Sequence, residues 1–244
     1  MNPVELIPVE GLPEVRPGDD LGRLIADHST LKSDDIVVVA QKVVSKSEGR
    51  IVRIDDVKAG DEAIRIAPRL IAKPDPRMVQ VVLDESVRVL RSDRVLITET
   101  RHGYVCANAG VDHSNVGRGT LTLLPVDPDA SASRLCGRLR ELTRADIGVI
   151  VSDTFGRPWR LGIVNVALGV AGAPALIDLR GTSDDLGEPL HATVIAVADE
   201  IAAAAGLVMR KTARTPAVVV RGLSISGAGS GRDLIRPPSE DLFR

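Results

Sequence analysis

Apolar and polar positions follow two rhythms along this chain. Short β-branched and aliphatic runs, IVVV at 36–39, VLIT at 95–98, IGVIV at 147–151 and AVVV at 217–220, predict strands. Weaker runs at 104–107, 120–124 and 175–179 predict more. Helical spacing appears between them. Leu21, Leu24, Ile25 and His28 fall on one face, as do Leu135, Leu139 and Leu142, with Asp127, Pro128 and Asp129 supplying start signals. The plainest helix lies near 191–208, where Val194, Ala198, Ile201, Ala205 and Val208 form an apolar stripe. Asp199 and Glu200 stand off that stripe, where solvated charge is the usual reading and support of a neighbouring ligand group the alternative. Strands and helices do not alternate strictly, and hairpin-like pairs flank Gly103 and Gly181. The pattern predicts an α+β fold of mixed or antiparallel sheets with packed helices, not a Rossmann and not a P-loop arrangement.

No Ser/Gly/Pro tract marks a linker and no solenoid repeat is visible, so 1–244 reads as a single unit with room for two lobes. Composition narrows the function classes. A hydrophobic content of 44% is ample for a core, and with only 2% aromatics that core must be built from branched aliphatics. The 31 basic and 33 acidic residues are interspersed, which argues against a nucleic-acid or polybasic membrane surface. MNPVELIPVEG lacks the basic and apolar regions of a leader, and no apolar run is long enough to span a bilayer. Cys106 and Cys136 form neither a disulfide framework nor a Cys-x-x-Cys pair, so the expected compartment is the cytoplasm.

Three polar strings carry candidate chemistry. In VIVSDTFGRPWR (149–160) an apolar strand ends in Asp153 and Thr154, followed by a turn bearing Arg157, the single Trp and Arg160. Carboxylate and hydroxyl oxygens suit hard cations, and guanidinium groups suit phosphate or carboxylate. An Asp-Thr cap with solvated arginines is the bland alternative. CANAGVDHSN (106–115) crowds Asn108, Asp112, His113, Ser114 and Asn115 together, and Asp112 is placed to supply a second carboxylate to a metal shared with Asp153, against the alternative of an Asx-turn loop. In VVVAQKVVSKSEGR (37–50), Lys42 and Lys46 share a face if the segment is helical, suited to nucleotide phosphates or to simple solvation. GAGSG at 227–231 lacks the spacing of a phosphate-binding loop and reads as a mobile loop, followed by a closing tail at 236–239. His102, Cys106 and His113 lack a fourth ligand at zinc spacing.

Read together, these strings resemble the coenzyme F420-0:L-glutamate ligase family, or F420:gamma-glutamyl ligases. The resemblance runs through VELIPVEGLPEVRPGDDL (4–21), VVSKSEGR (43–50), ANAGVDHSNV (107–116), LLPVDPDASA (123–132), SDTFGRPWRLG (152–162), VADEIAAAAGLV (197–208) and PAVVVRGL (216–223). It implies a GTP- and divalent-metal-dependent, GDP-forming ligase that joins L-glutamate to the terminal carboxylate of F420-0, through an acyl phosphate, and adds further glutamates by γ-linkage. It implies Mg²⁺ or Mn²⁺, two per site, with K⁺ as a further cation, and a homodimer. By the same resemblance Asp112 and Asp153 hold one cation and Thr154 contacts a second. Leu12, Pro13, Glu14, Val15, Lys46 and Asn115 contact nucleotide, joined by Gln41 and Lys42. Arg157, with Arg160, is added as a candidate for anionic substrate groups.

Two departures qualify the likeness. Where archaeal relatives carry an acidic, Gly-rich loop, residues 209–216 read MRKTARTP, and Lys211 stands near an acidic ligand's place, where its charge repels a cation and favours phosphate. Some bacterial relatives also carry a nitroreductase-like flavin domain that has no counterpart here. Two rival readings remain at this stage, a metal-dependent nucleotide phosphohydrolase and a non-catalytic nucleotide- or coenzyme-binding module.

Overall fold

The computed structural model describes residues 3–113, 117, 119–209, 214–223 and 225–241. The first part of the chain runs β1 (Glu5–Pro8), α1 (Leu21–Asp27), β2 (Ile36–Ala40), α2 (Gln41–Ser47) and β3 (Ile51–Arg53). There follow α3 (Asp61–Ile66), α4 (Pro76–Asp84), β4 (Ser86–Asp93), β5 (Val95–Thr100), β6 (Val105–Ala107) and β7 (Thr120–Thr122). The remainder is α5 (Pro128–Thr143), β8 (Gly148–Arg157), β9 (Arg160–Ala171), β10 (Ile177–Asp178), β11 (Val194–Ile195), α6 (Val197–Gly206) and β12 (Ala217–Arg221).

The main sheet has the order β1-β12-β2-β8-β9. Its β2–β8 pair is parallel and the other pairs are antiparallel, so the sheet is mixed and the fold α+β, as the pattern predicts. Both faces are covered, which is why the central strands are continuous apolar runs. Val37, Val39, Val149, Val151 and Val219 pack with Ile25 of α1 and Leu135 and Leu139 of α5. The intervening Ile36, Val38, Ile150, Val218 and Val220 pack on Val197, Ala198, Ile201, Ala202 and Ala205 of α6. Smaller antiparallel sheets, β3-β7 and β4-β5-β6, pack with α3 and α4 around Leu96, Leu121, Val79 and Val82.

The helix starts follow the expected chemistry. Asp127 accepts from the Ala130 N–H at 3.0 Å with Pro128 in the first turn, and Asp20 caps α1 while also holding Arg138 of α5. Asp75 and Pro76 start α4 in the same way. Among the described residues, no helix is long and apolar enough to cross a membrane.

Several expectations are corrected. The helix read at 191–208 begins only at Val197, because Val194 and Ile195 pair with Asp178 and Ile177. Asp199 is not a solvated charge. Its Oδ1 accepts the Ala167 N–H at 2.8 Å, at a bulge where Val151 faces Gly169 but Ser152 faces Ala167, leaving Leu168 as the extra residue of β9. The Leu168 carbonyl takes the Tyr104 hydroxyl at 2.5 Å, and burial holds that phenol in its protonated form by raising its pKa. GAGSG is packed and not a loose loop. A Cβ on Gly231 would lie 1.9 Å from the Leu168 oxygen, and the Gly231 N–H donates to Asp129.

The sheet also has an electrostatic tie. Arg221 at the end of β12 donates twice to Asp35, at 2.8 and 2.7 Å, and Asp35 is 1% exposed. Arg221→Ala leaves a buried carboxylate without its cation, so we expect a loss of about 3 kcal/mol in urea denaturation, with much of it recovered in Asp35→Asn/Arg221→Ala. Asp199 predicts a pH effect. Burial raises its pKa above 3.8, opposed by the Ala167 N–H, so the folded state holds this proton more tightly than the unfolded chain. The cost of ionising it is absent at low pH and grows as pH rises from 3.8 through the raised value. Asp199→Asn keeps the acceptor and removes that cost, so the stability of wild type minus variant should fall across this window and then level off.

Candidate functional site

β2 ends at Ala40, level with Ser152 of β8, and the chain turns there into α2. β8 runs on to Arg157 with β9 alone as its ladder partner in the described sheet. The carboxyl ends of the two parallel strands therefore open onto a cavity, the place where open α/β arrangements collect ligands. Its volume is about 880 Å³, within the range for a nucleotide-sized ligand.

Residues from distant parts of the sequence line it. Leu12, Pro13, Glu14 and Val15 arrive from the segment after β1, anchored by the Val9 N–H on the Ala217 carbonyl and by burial of Val15. Gln41, Lys42 and Lys46 come from α2, and Asp153 and Thr154 from β8. Asp112 is held by paired backbone bonds with Thr122, at 3.0 and 2.8 Å. The turn before it places Asn108, Ala109 and Gly110 at positive φ, and a Cβ on Gly110 would lie 2.7 Å from the Leu124 side chain.

The cavity is strongly charged. Lys42 Nζ lies 2.6 Å from Asp112 Oδ2, and Lys46 Nζ lies 2.5 Å from Glu14 Oε1. The basic face of α2 is thus turned inward, not solvated: the Lys46 side chain is 8% exposed. Arg214, Thr215 and Pro216 line the cavity after the basic stretch, as does Met209 before it. Ser152, Asn165 and, on α6, Ala203 and Gly206 line the cavity as well, none of which the polar strings singled out, and Asn165 Nδ2 donates to Met209 Sδ at 4.0 Å. Asn165 sits directly across the ladder from Thr154, a signal legible only once β9 is known.

Successive residues of a strand project to opposite sides. Ile150 and Ala167 belong to the α6 side, which places Ser152 and Thr154 there by alternation and Asp153 on the other side, toward Cys106. Burial, and secondarily the Asp153 charge, push the Cys106 thiol up to about 12, so it is no nucleophile at neutral pH. His102 is engaged elsewhere, with Nε2 on the Pro125 and Val126 carbonyls.

The structure does not bring every candidate together. Arg157 is exposed on the β8–β9 hairpin, its Nη2 donating to the Leu161 carbonyl at 2.6 Å, and neither Arg157 nor Arg160 lines the cavity. His113 is exposed. Ser114, Asn115 and Lys211 lie outside the described residues. Among the described residues, no group of three His, Cys, Asp or Glu converges into a metal cage. Asp112, Asp153 and Thr154 nevertheless offer oxygen donors in one cavity, the donor type that hard cations such as Mg²⁺ prefer.

Comparison with known proteins identifies the family. The model of the F420-0:Gamma-glutamyl ligase family matches residues 11–222. The coenzyme F420:L-glutamate ligase of Methanopyrus kandleri is 45% identical over 248 residues, spanning 99% of this chain and 97% of the relative. The proteins of the same name from Archaeoglobus fulgidus and Methanothermobacter thermautotrophicus are 46% and 44% identical, each over 99% of this chain and over 96% and 99% of the relative. With the family model spanning most of the chain and these relatives aligned nearly end to end, the protein belongs to the F420-0:gamma-glutamyl ligase family.

Proposed function

We propose that the protein is a ligase that forms an amide between L-glutamate and the terminal carboxylate of F420-0, with GTP as the energy source and GDP and phosphate as products. The observation that carries this reading is the convergence of Asp112, Asp153, Thr154, Lys42 and Lys46, from three separate parts of the sequence, on one cavity. The relatives' names supply coenzyme F420 and L-glutamate, and the cationic side chains of the cavity support a phosphate-bearing co-substrate, for which GTP is proposed from the resemblance.

A carboxylate is a poor acyl donor because it is anionic and lacks a leaving group. Attack of its oxygen on the γ-phosphorus of GTP forms an O–P bond and breaks the bond to the β-phosphate oxygen, giving an acyl phosphate and GDP. The glutamate amine, having lost a proton, then attacks the carbonyl carbon. The C–O bond breaks, inorganic phosphate leaves with its electron pair, and an amide remains. The γ-carboxylate of the added glutamate is chemically equivalent to the first acceptor, which accounts for further γ-linked additions.

The chain's part is to position anions. Lys42 and Lys46 meet nucleotide phosphates, and Leu12 to Val15, Gln41 and Asn115 hold the rest of the nucleotide. Asp112 and Asp153 hold one divalent cation, Mg²⁺ or Mn²⁺, and Thr154 contacts a second, an allocation supported by the alternation that turns Asp153 and Thr154 to opposite sides. Bound there, such cations would supply the neutralisation of charge that phosphoryl transfer needs. In this reading Asp112 and Lys42, 2.6 Å apart, would each turn to an ion of opposite charge, the carboxylate to a cation and the ammonium to phosphate. K⁺ as a further cation, a homodimer and a cytoplasmic location belong to the same reading.

Asp153→Ala and Asp112→Ala should each lower ligation by roughly 100-fold or more, since loss of groups that only orient metal ligands already costs 10- to 100-fold. The melting curve of the free protein should shift little, and part of the loss should return at high Mn²⁺. Phosphate release and glutamyl transfer, measured together by colorimetry and mass spectrometry, test the reaction. We expect GTP turnover to rise steeply only when both F420-0 and glutamate are supplied; equal turnover without them identifies a phosphohydrolase, and no transfer by the single purified chain identifies a binding module.

A further inference from the structure

We propose that Ser152 is a further ligand-binding residue of the cavity, its hydroxyl donating to a phosphoryl oxygen. The inference rests on the ligase reading above and deepens it. Ser152 is 1% exposed, and its Oγ has no hydrogen-bond partner among the described residues. Such an orphan is costly, because a buried hydroxyl forfeits its bonds to water without replacement.

Its surroundings explain the vacancy. Across the ladder Ser152 faces Ala40 of β2 on one side and Ala167 of β9 on the other, and neither side chain has anything to offer a hydroxyl. By packing alone an alanine would serve. Among the described residues, two other buried side-chain atoms share the orphan condition, Thr98 Oγ1 and His102 Nδ1, but neither residue lines the cavity, whereas Ser152 does. From α6 the cavity is lined by Ala203 and Gly206, which offer no side-chain donor or acceptor. The next residue is Asp153 and the next on the same face is Thr154. Phosphoryl oxygens only accept hydrogen bonds, so one held on this face of β8 needs a donor, and the serine hydroxyl one step before Thr154 on the same side provides it.

The test compares wild type, Ser152→Ala and Ser152→Cys as full chains, by calorimetry with GDP plus MgCl₂ and with inorganic phosphate, by thermal melting and by steady-state ligation. Ser152→Ala should melt at or above the wild-type temperature without ligand, because it removes an unsatisfied group. It should bind at least one of the two probes about 10- to 100-fold more weakly, the loss of a hydrogen bond to a charged group. Weakening with GDP alone assigns the oxygen to the nucleotide, and weakening with phosphate alone assigns it to the released product. Ser152→Cys, similar in size but a poor donor, should follow Ser152→Ala. Wild-type affinities for both probes in either variant, or a lower melting point of Ser152→Ala with unchanged affinities, overturns the assignment. Should wild type ligate glutamate with no need of a nucleoside triphosphate, the ligase reading fails and this inference falls with it; an active, GTP-dependent wild type beside an indifferent Ser152→Ala sinks this inference alone.

Discussion

Everything at the cavity depends on a mismatch in length between two parallel neighbours. β2 stops at Ala40 and β8 continues beyond Ser152, so the sheet ends as a step instead of a straight edge. The covered part of β8 is buried on both sides by valines and isoleucine, and its polar residues begin at the step. Apolar burial holds the strand rigid where it is covered, and the groups that need solvent, cations or ligand follow where cover is lost. The turn of the chain into α2 at the same level places Gln41 and Lys42 beside those groups, and the pairing of β1 with β12 delivers Leu12 to Val15 from the far edge.

The charges gathered there would be unfavourable in isolation. Two lysines and three carboxylates converge, and they are compatible because each lysine has a carboxylate within ion-pair distance. In the Lys46–Glu14 pair one member is shielded and the other open, at 8% and 74% exposure, whereas Lys42 and Asp112 are both partly buried, at 18% and 32%. Pairs of this kind are poor sources of stability, because desolvation offsets attraction. They are better suited to exchange, in which a stronger anion or cation takes the place of one partner.

Much of this was legible before any coordinates. The strands at 36–40, 95–100 and 217–221 and the helix at 128–143 follow from β-branched runs, an Asp-Pro start and apolar spacing. The step itself was half visible, as an apolar run ending in Asp153 and Thr154. What escaped was non-local. The strand 160–171 opens with Arg160, Leu161 and Gly162 on an exposed hairpin and carries an extra residue at Leu168, so no clean alternation betrays it. Burial of Lys46 depends on Glu14, 32 positions away, and burial of Asp199 depends on an amide freed by the bulge. Local composition could suggest only solvent for both.

That extra residue sets the phase of the ladder. Gly169 faces the backbone of Pro128 on one layer, while Ala167 and Asn165 fall on the other, toward α6. Removing Leu168 would keep the pairs on both sides of it but let the ladder run straight, taking away the freed Ala167 amide that Asp199 accepts and the carbonyl that Tyr104 reaches. In this stretch the inherited quantity is therefore a count of residues as much as their identity: a single replacement disturbs one contact, whereas the loss of one unit unties two side chains contributed by other parts of the chain.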